Sequence, residues 1–152
     1  MKRILAAFSL MVIATFANAG ATSQYLSQSL LGYMFQNPAS PISKPATVYV
    51  ALCTNTPTST VNCVEPSGGG YARVAITTSA TNFTISTDVV TNGITITYPS
   101  ATAAWGTINA FQFFDAATGG NPLWYGSLTV SQTINTGSTP SFSNGQLSIT
   151  LN

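Results

Sequence analysis

The spacing of apolar residues along this chain changes character twice. Ile4 to Phe16 is an apolar run interrupted only by Ser9 and Thr15. From Thr22 to Phe35 the apolar positions become periodic: Leu26, Leu30, Tyr33 and Met34 recur at intervals of three and four, with Tyr25, Leu31 and Phe35 widening the stripe. That spacing predicts a short amphipathic helix, capped by Thr22 or Ser23 and stopped by Asn37-Pro38. A stripe this broad has to pack on something, and the end of its own sheet is the expected cover. Membrane binding is disfavoured, because the polar face carries no Lys or Arg.

After Pro45 the period drops to two. Val48, Val50 and Leu52 alternate with Tyr49 and Ala51; Ile94, Ile96 and Tyr98 alternate with threonines; Leu147, Ile149 and Leu151 alternate with Ser148 and Thr150. These are half-buried strands, with one face in a core and one toward water. Further strands are expected over Tyr71 to Thr77, Phe83 to Val90, Ile108 to Asp115 and Leu123 to Val130. Ile108 to Phe114 is apolar on both faces, which predicts a strand in the middle of the fold. Turn signals stand at Asn92-Gly93, Thr118 to Asn121 and Asn144-Gly145. Seven or eight short strands so punctuated predict a mainly β domain over 46–152, an antiparallel β-sandwich or jelly-roll-like barrel, preceded by the helical segment 20–37.

The first nineteen residues read as a secretory signal. Met1-Lys2-Arg3 is a positive start, the apolar run follows, and Ala17-Asn18-Ala19 places small residues where a peptidase reads, with cleavage between Ala19 and Gly20. The run is short of the roughly 20 residues of a membrane span; the competing reading is an uncleaved anchor, the one case in which this chain would touch a membrane. Export would favour a disulfide between Cys53 and Cys63, the only cysteines. Closing that loop is worth about 2.8 kcal/mol in the chain-entropy treatment. A two-ligand metal site and two reduced buried thiols are the alternatives.

Composition then removes most chemistry. Of 152 residues, four are Lys or Arg and three are Asp or Glu, and there is no histidine. A chain without His has no Ser-His-Asp triad and no imidazole base or metal ligand. The three acids, Glu65, Asp88 and Asp115, are scattered and with two cysteines build neither a zinc site nor a two-metal site. Lys44 and Arg73, the cations beyond residue 3, give no track for a nucleic-acid backbone. The reading is therefore no enzyme, no cofactor, no metal and no nucleic acid.

Individual strings qualify this picture only slightly. Ser67-Gly68-Gly69-Gly70 is followed by a β-patterned run without the Lys of a phosphate-binding loop, so it reads as a flexible lead into a strand. Arg73 is expected to pair with Glu65, Asp88 or Asp115, since an unpaired buried cation is costly. Asp115 to Asn121 offers one carboxylate and several carbonyls, too few acids for calcium, and an Asx-type turn accounts for it better. Trp105, Trp124 and Tyr125, with Tyr98, are candidate ligand-facing aromatics for a surface glycan, against the alternative of core packing.

Read together, Tyr25-Leu26 and Leu30-Leu31, Pro45 to Leu52, Ser67 to Arg73, Pro99 to Thr107 and Phe114 to Asn121 resemble, in order, the small tailed-bacteriophage proteins commonly labelled tail fibre proteins. The closing strand Gly145 to Leu151 is similar too. The resemblance implies a β-rich virion surface protein, tail-associated or decorating the head, with no catalytic residues to carry over. Two features depart from it: the signal sequence and the cysteine pair, both of which point to maturation outside the cytoplasm. The expected role is a non-enzymatic structural protein acting by self-association and surface binding, as a homo-oligomer or as a lattice or filament subunit, since a surface of Ser, Thr and Asn lacks the net charge that keeps small domains apart. The alternative is a secreted bacterial carbohydrate-binding or adhesive filament subunit.

Overall fold

The computed structural model describes residues 17–36 and 43–150; the apolar run Ile4 to Phe16 lies outside the described residues. In chain order the elements are β1 (Ala17–Thr22), α1 (Gln24–Phe35), β2 (Thr47–Cys53), β3 (Val74–Thr77), β4 (Phe83–Ser86), β5 (Val89–Asn92), β6 (Ile96–Thr97), β7 (Gly106–Phe114), β8 (Pro122–Ile134), β9 (Ser141–Phe142) and β10 (Leu147–Thr150). Eight strands form one sheet in the order β3-β2-β7-β8-β1-β10-β5-β4, and β6 and β9 form a second, small one. All neighbours are antiparallel except β1 and β10, which run parallel. The fold is mainly β with one helix, as the alternation of the sequence predicts.

The large sheet folds over on itself. Phe83 of β4, at one end of the order, meets Phe113 of β7 near the other, with ring centroids 6.3 Å apart. Between the two halves Phe111 packs edge-on against Phe113 and against Phe142 of β9. Tyr98 also meets Phe142 and donates its hydroxyl to the Val50 carbonyl at 3.1 Å. Burying a phenol this deeply is tolerable only because its hydroxyl has that acceptor. β7 is the centre: Ala110 to Phe114 are all buried, as expected from its apolar residues on both faces.

Four elements differ from the pattern-based reading. Residues 17–22, expected to close the leader and open the helical segment, form β1, which fills the slot between β8 and β10. Small residues suit a strand flanked on both sides by paired neighbours. The Ala19–Gly20 bond lies inside it; cutting there would leave Gly20 opposite Ile149, Ala21 opposite Tyr125 and Thr22 opposite Trp124.

Phe83 to Val90 is a hairpin rather than one strand. It turns at Thr87, whose φ of 55° lies in the left-handed region and whose hydroxyl contacts Asp88 Oδ1 at 3.0 Å. β3 begins only at Val74, because Tyr71 is still in a turn, donating its N–H to the Gly68 carbonyl at 3.0 Å. The turn signal Asn92-Gly93 marks an internal junction. The buried Asn92 side chain donates to the Ile94 and Ser143 carbonyls and accepts from the Leu147 N–H at 2.8 Å, tying β5 to β9 and β10.

Candidate functional site

Glu65, Arg73 and the turn that follows Asp115 gather in one place. Cys53–Cys63 is a disulfide that closes the loop after β2, and the Asn55 side chain braces it from inside, donating to the Asn62 carbonyl and accepting from the Val64 N–H. The chain leaving this loop carries Glu65. Arg73 Nη2 lies 2.7 Å from Glu65 Oε1 and its Nε contacts both carboxylate oxygens. The same guanidinium donates through Nη1 to the Ala116 and Gly119 carbonyls and stacks 3.7 Å above the Phe114 ring. Of the three acids offered by the sequence, Glu65 is therefore the partner. The carbonyls of the β7–β8 turn are neutralised by this internal cation, while Asp115 is held by the backbone N–H and side-chain amide of Asn121. The planar fork of arginine, which a lysine lacks, is what reaches a carboxylate and two carbonyls at once.

Tyr71 completes the cluster. Its hydroxyl lies 2.9 Å from Glu65 Oε2 and accepts from the Leu52 N–H at 2.9 Å, and its ring meets Trp105 edge-on at 5.2 Å. Burial first, and then the Glu65 charge, raise the Tyr71 phenol far above its ordinary value of 10.0. Burial raises Tyr98 in the same direction. The folded chain thus holds both phenols neutral where the unfolded chain ionises them, so the stability they contribute is complete below pH 10 and falls as pH rises further. The unfolded state binds fewer protons there, and the expected loss is about 3 kcal/mol per pH unit for the two together. Urea midpoints at pH 9 and pH 11 check this; equal midpoints would show that the phenols ionise without opening the fold.

Of the aromatics expected to face a ligand, Trp105 does not. It is 5% exposed, and its indole Nε1 donates to the Gly69 carbonyl at 2.9 Å. The glycine string is correspondingly a packed turn and not a flexible lead. All three glycines have positive φ, and a Cβ on Gly69 would sit 2.9 Å from both the Ala103 carbonyl and the Trp105 Nε1. Tyr98 is also buried. Trp124 and Tyr125 are half-buried neighbours on β8, where successive side chains point to opposite faces. Trp124 packs against the core. The structure therefore does not bring Trp105, Trp124 and Tyr125 together as one platform.

Sequence reasoning missed Gln112, a fully buried amide in the apolar run of β7 whose Oε1 accepts the Cys63 N–H at 2.7 Å. A lone polar residue at a position patterned for the core was the available signal.

The exposed apolar residues gather elsewhere, on α1. Ser23 caps the helix, accepting from the Leu26 N–H at 3.1 Å. Of the helical stripe only Leu26 is buried. The expected packing against the sheet therefore covers the first turn alone, and Leu30, Leu31, Tyr33, Met34 and Phe35 are exposed. The disulfide loop abuts this helix, its Ser59 carbonyl accepting the Gln24 N–H at 2.8 Å, and it adds the exposed Val61 and Val64. Among the described residues no group of three or more Cys, Asp or Glu is placed to hold a metal ion, and no helix is long and apolar enough to cross a membrane.

Glu65, Arg73 and Asp115 thus fasten loops of a small, mainly β chain, and most of its exposed large apolar residues among the described ones lie on one helix. Residues 21–150 match the family described as podophage GP4 fiber I protein gp80, and the chain belongs to that family. Among curated proteins none matches it.

Proposed function

We propose that this chain is a non-enzymatic structural subunit of a phage tail fibre, exposed on the virion surface, which acts by associating with further copies of itself and by contacting a surface. The family match over residues 21–150 carries the reading, because it spans both the helix and the β domain. That the family is one of fibre proteins favours a fibre over decoration of the head. The ionised groups support a structural role: Glu65, Arg73 and Asp115 hold loop to loop, whereas acid-base catalysis needs such groups free and positioned on a reacting atom. Immunogold labelling of intact particles with an antibody to 46–150 tests the assignment. Gold on the tail fibres is the expected result. Gold on the head, or particles without the protein, would overturn it, and hydrolytic turnover by the purified chain would overturn the non-enzymatic part.

A further inference from the structure

We propose that the outer face of α1, centred on Leu31 and Phe35, is the surface through which copies of this chain meet. The inference rests on the self-association proposed above and names where it takes place. Phe35 is 81% exposed, Met34 63% and Leu31 58%. Leu30 to Phe35 carries no polar side chain, a pattern that in folded proteins belongs to a covered helix. The chain's own sheet does not supply the cover, since Leu26 is the only residue of α1 it buries.

Two observations select another copy as the occupant. First, Gln24 to Phe35 carries no charged residue. Helices that lie on lipid carry Lys or Arg on the polar face, and distinct partners are commonly sorted by complementary charge. An uncharged apolar face is matched by shape. The same face supplies both halves of that match: Leu31 and Phe35 project beside an open recess at Gly32, lined also by Gln28 and Gln36. Among the described residues only Gln36 Oε1, at 3.8 Å, approaches the place where a Gly32 Cβ would stand. A projection and a recess on one surface is what a self-complementary interface requires.

Second, the exposed parts of Leu31, Met34 and Phe35 on this face amount to about 400 Å², taking a whole large apolar side chain as about 200 Å², half of the about 800 Å² per partner in a standard interface.

The test is the mass of the full chain by light scattering and sedimentation over a range of concentrations. The wild type is compared with the double substitution Leu31→Glu/Phe35→Glu and with Ile85→Glu, an equally exposed apolar position on the β4 edge. The expected result is an oligomeric wild type and Ile85→Glu variant, with the double variant's dissociation constant raised about 30-fold or more. Leu31→Cys provides a second readout that needs no loss of stability: oxidation should link two copies through residue 31. A double variant that keeps the wild-type mass, together with no such link, would overturn the α1 assignment and leave self-association standing. A wild type monomeric at every concentration would overturn both. A monomer that floats with phosphatidylcholine vesicles, and loses this in the double variant, would replace the second copy with a lipid surface.

Discussion

Replacing Glu65 by Gln is expected to destabilise the chain by about 3 kcal/mol, although it alters one atom near the surface. The substitution keeps an acceptor for the Tyr71 hydroxyl but removes the charge facing Arg73, which is 7% exposed and cannot turn to water. A stranded, nearly buried cation is the expensive outcome, more so than loss of the whole pair. The substitution Arg73→Met is also expected to destabilise, because the Ala116 and Gly119 carbonyls and the Phe114 ring lose their partner. Glu65→Gln combined with Arg73→Met should cost less than the two single changes added, since no ion is then left alone. Urea denaturation of the four proteins measures the coupling. A Glu65→Gln cost below about 1 kcal/mol would mean that Arg73 finds water after all.

Phe111→Ala should be the most damaging single change, at about 3–5 kcal/mol. Its ring is fully buried, with Phe113 at 6.0 Å and Phe142 at 6.2 Å. It therefore touches both the large sheet and the small β6–β9 pair. The cavity cannot close by collapse, because the β7 backbone is hydrogen-bonded on both edges, to β2 and to β8. Against the 5–15 kcal/mol typical of a domain, this leaves little margin. Phe111→Leu, which keeps most of the volume, should cost about 1.5 kcal/mol or less. Thermal melts separate the two; an alanine variant within about 1 kcal/mol of wild type would show that the halves of the sheet repack.

Much of the fold was legible because burial in a sheet leaves a local trace. Val48, Val50 and Leu52, and later Leu147 and Ile149, alternate in sequence because a pleated strand alternates in space, and the doubly apolar stretch from Ala110 to Phe114 announced the central strand. The helix was legible from its spacing, and the Cys53–Cys63 disulfide from there being a single cysteine pair. The absence of histidine excludes a Ser-His-Asp triad and an imidazole base from the sequence alone.

Other features have no such trace. Tryptophan on a β-rich surface and tryptophan in a core read alike; only the meeting of the Gly69 carbonyl with the Trp105 indole, 36 positions apart in sequence, put that ring inside. Glu65, Asp88 and Asp115 were equal partners for Arg73 until folding laid the turn at 116–119 beside the chain that carries Glu65. Asn92 looked like a turn residue because Asn-Gly favours turns locally, whereas its amide serves two strands some fifty residues away.

The amino-acid order thus determined what most segments are, strand, helix or turn, while β1 and the break at Thr87 were not read from it. Tertiary structure alone decided which polar groups met and which apolar ones stayed uncovered. Periodicity is a property of neighbours along the chain, and it sets local conformation. Burial, pairing and exposure depend on contacts across long sequence separations. That is why the same apolar stripe that predicts α1 could not say that, beyond Leu26, the chain's own sheet would leave it bare.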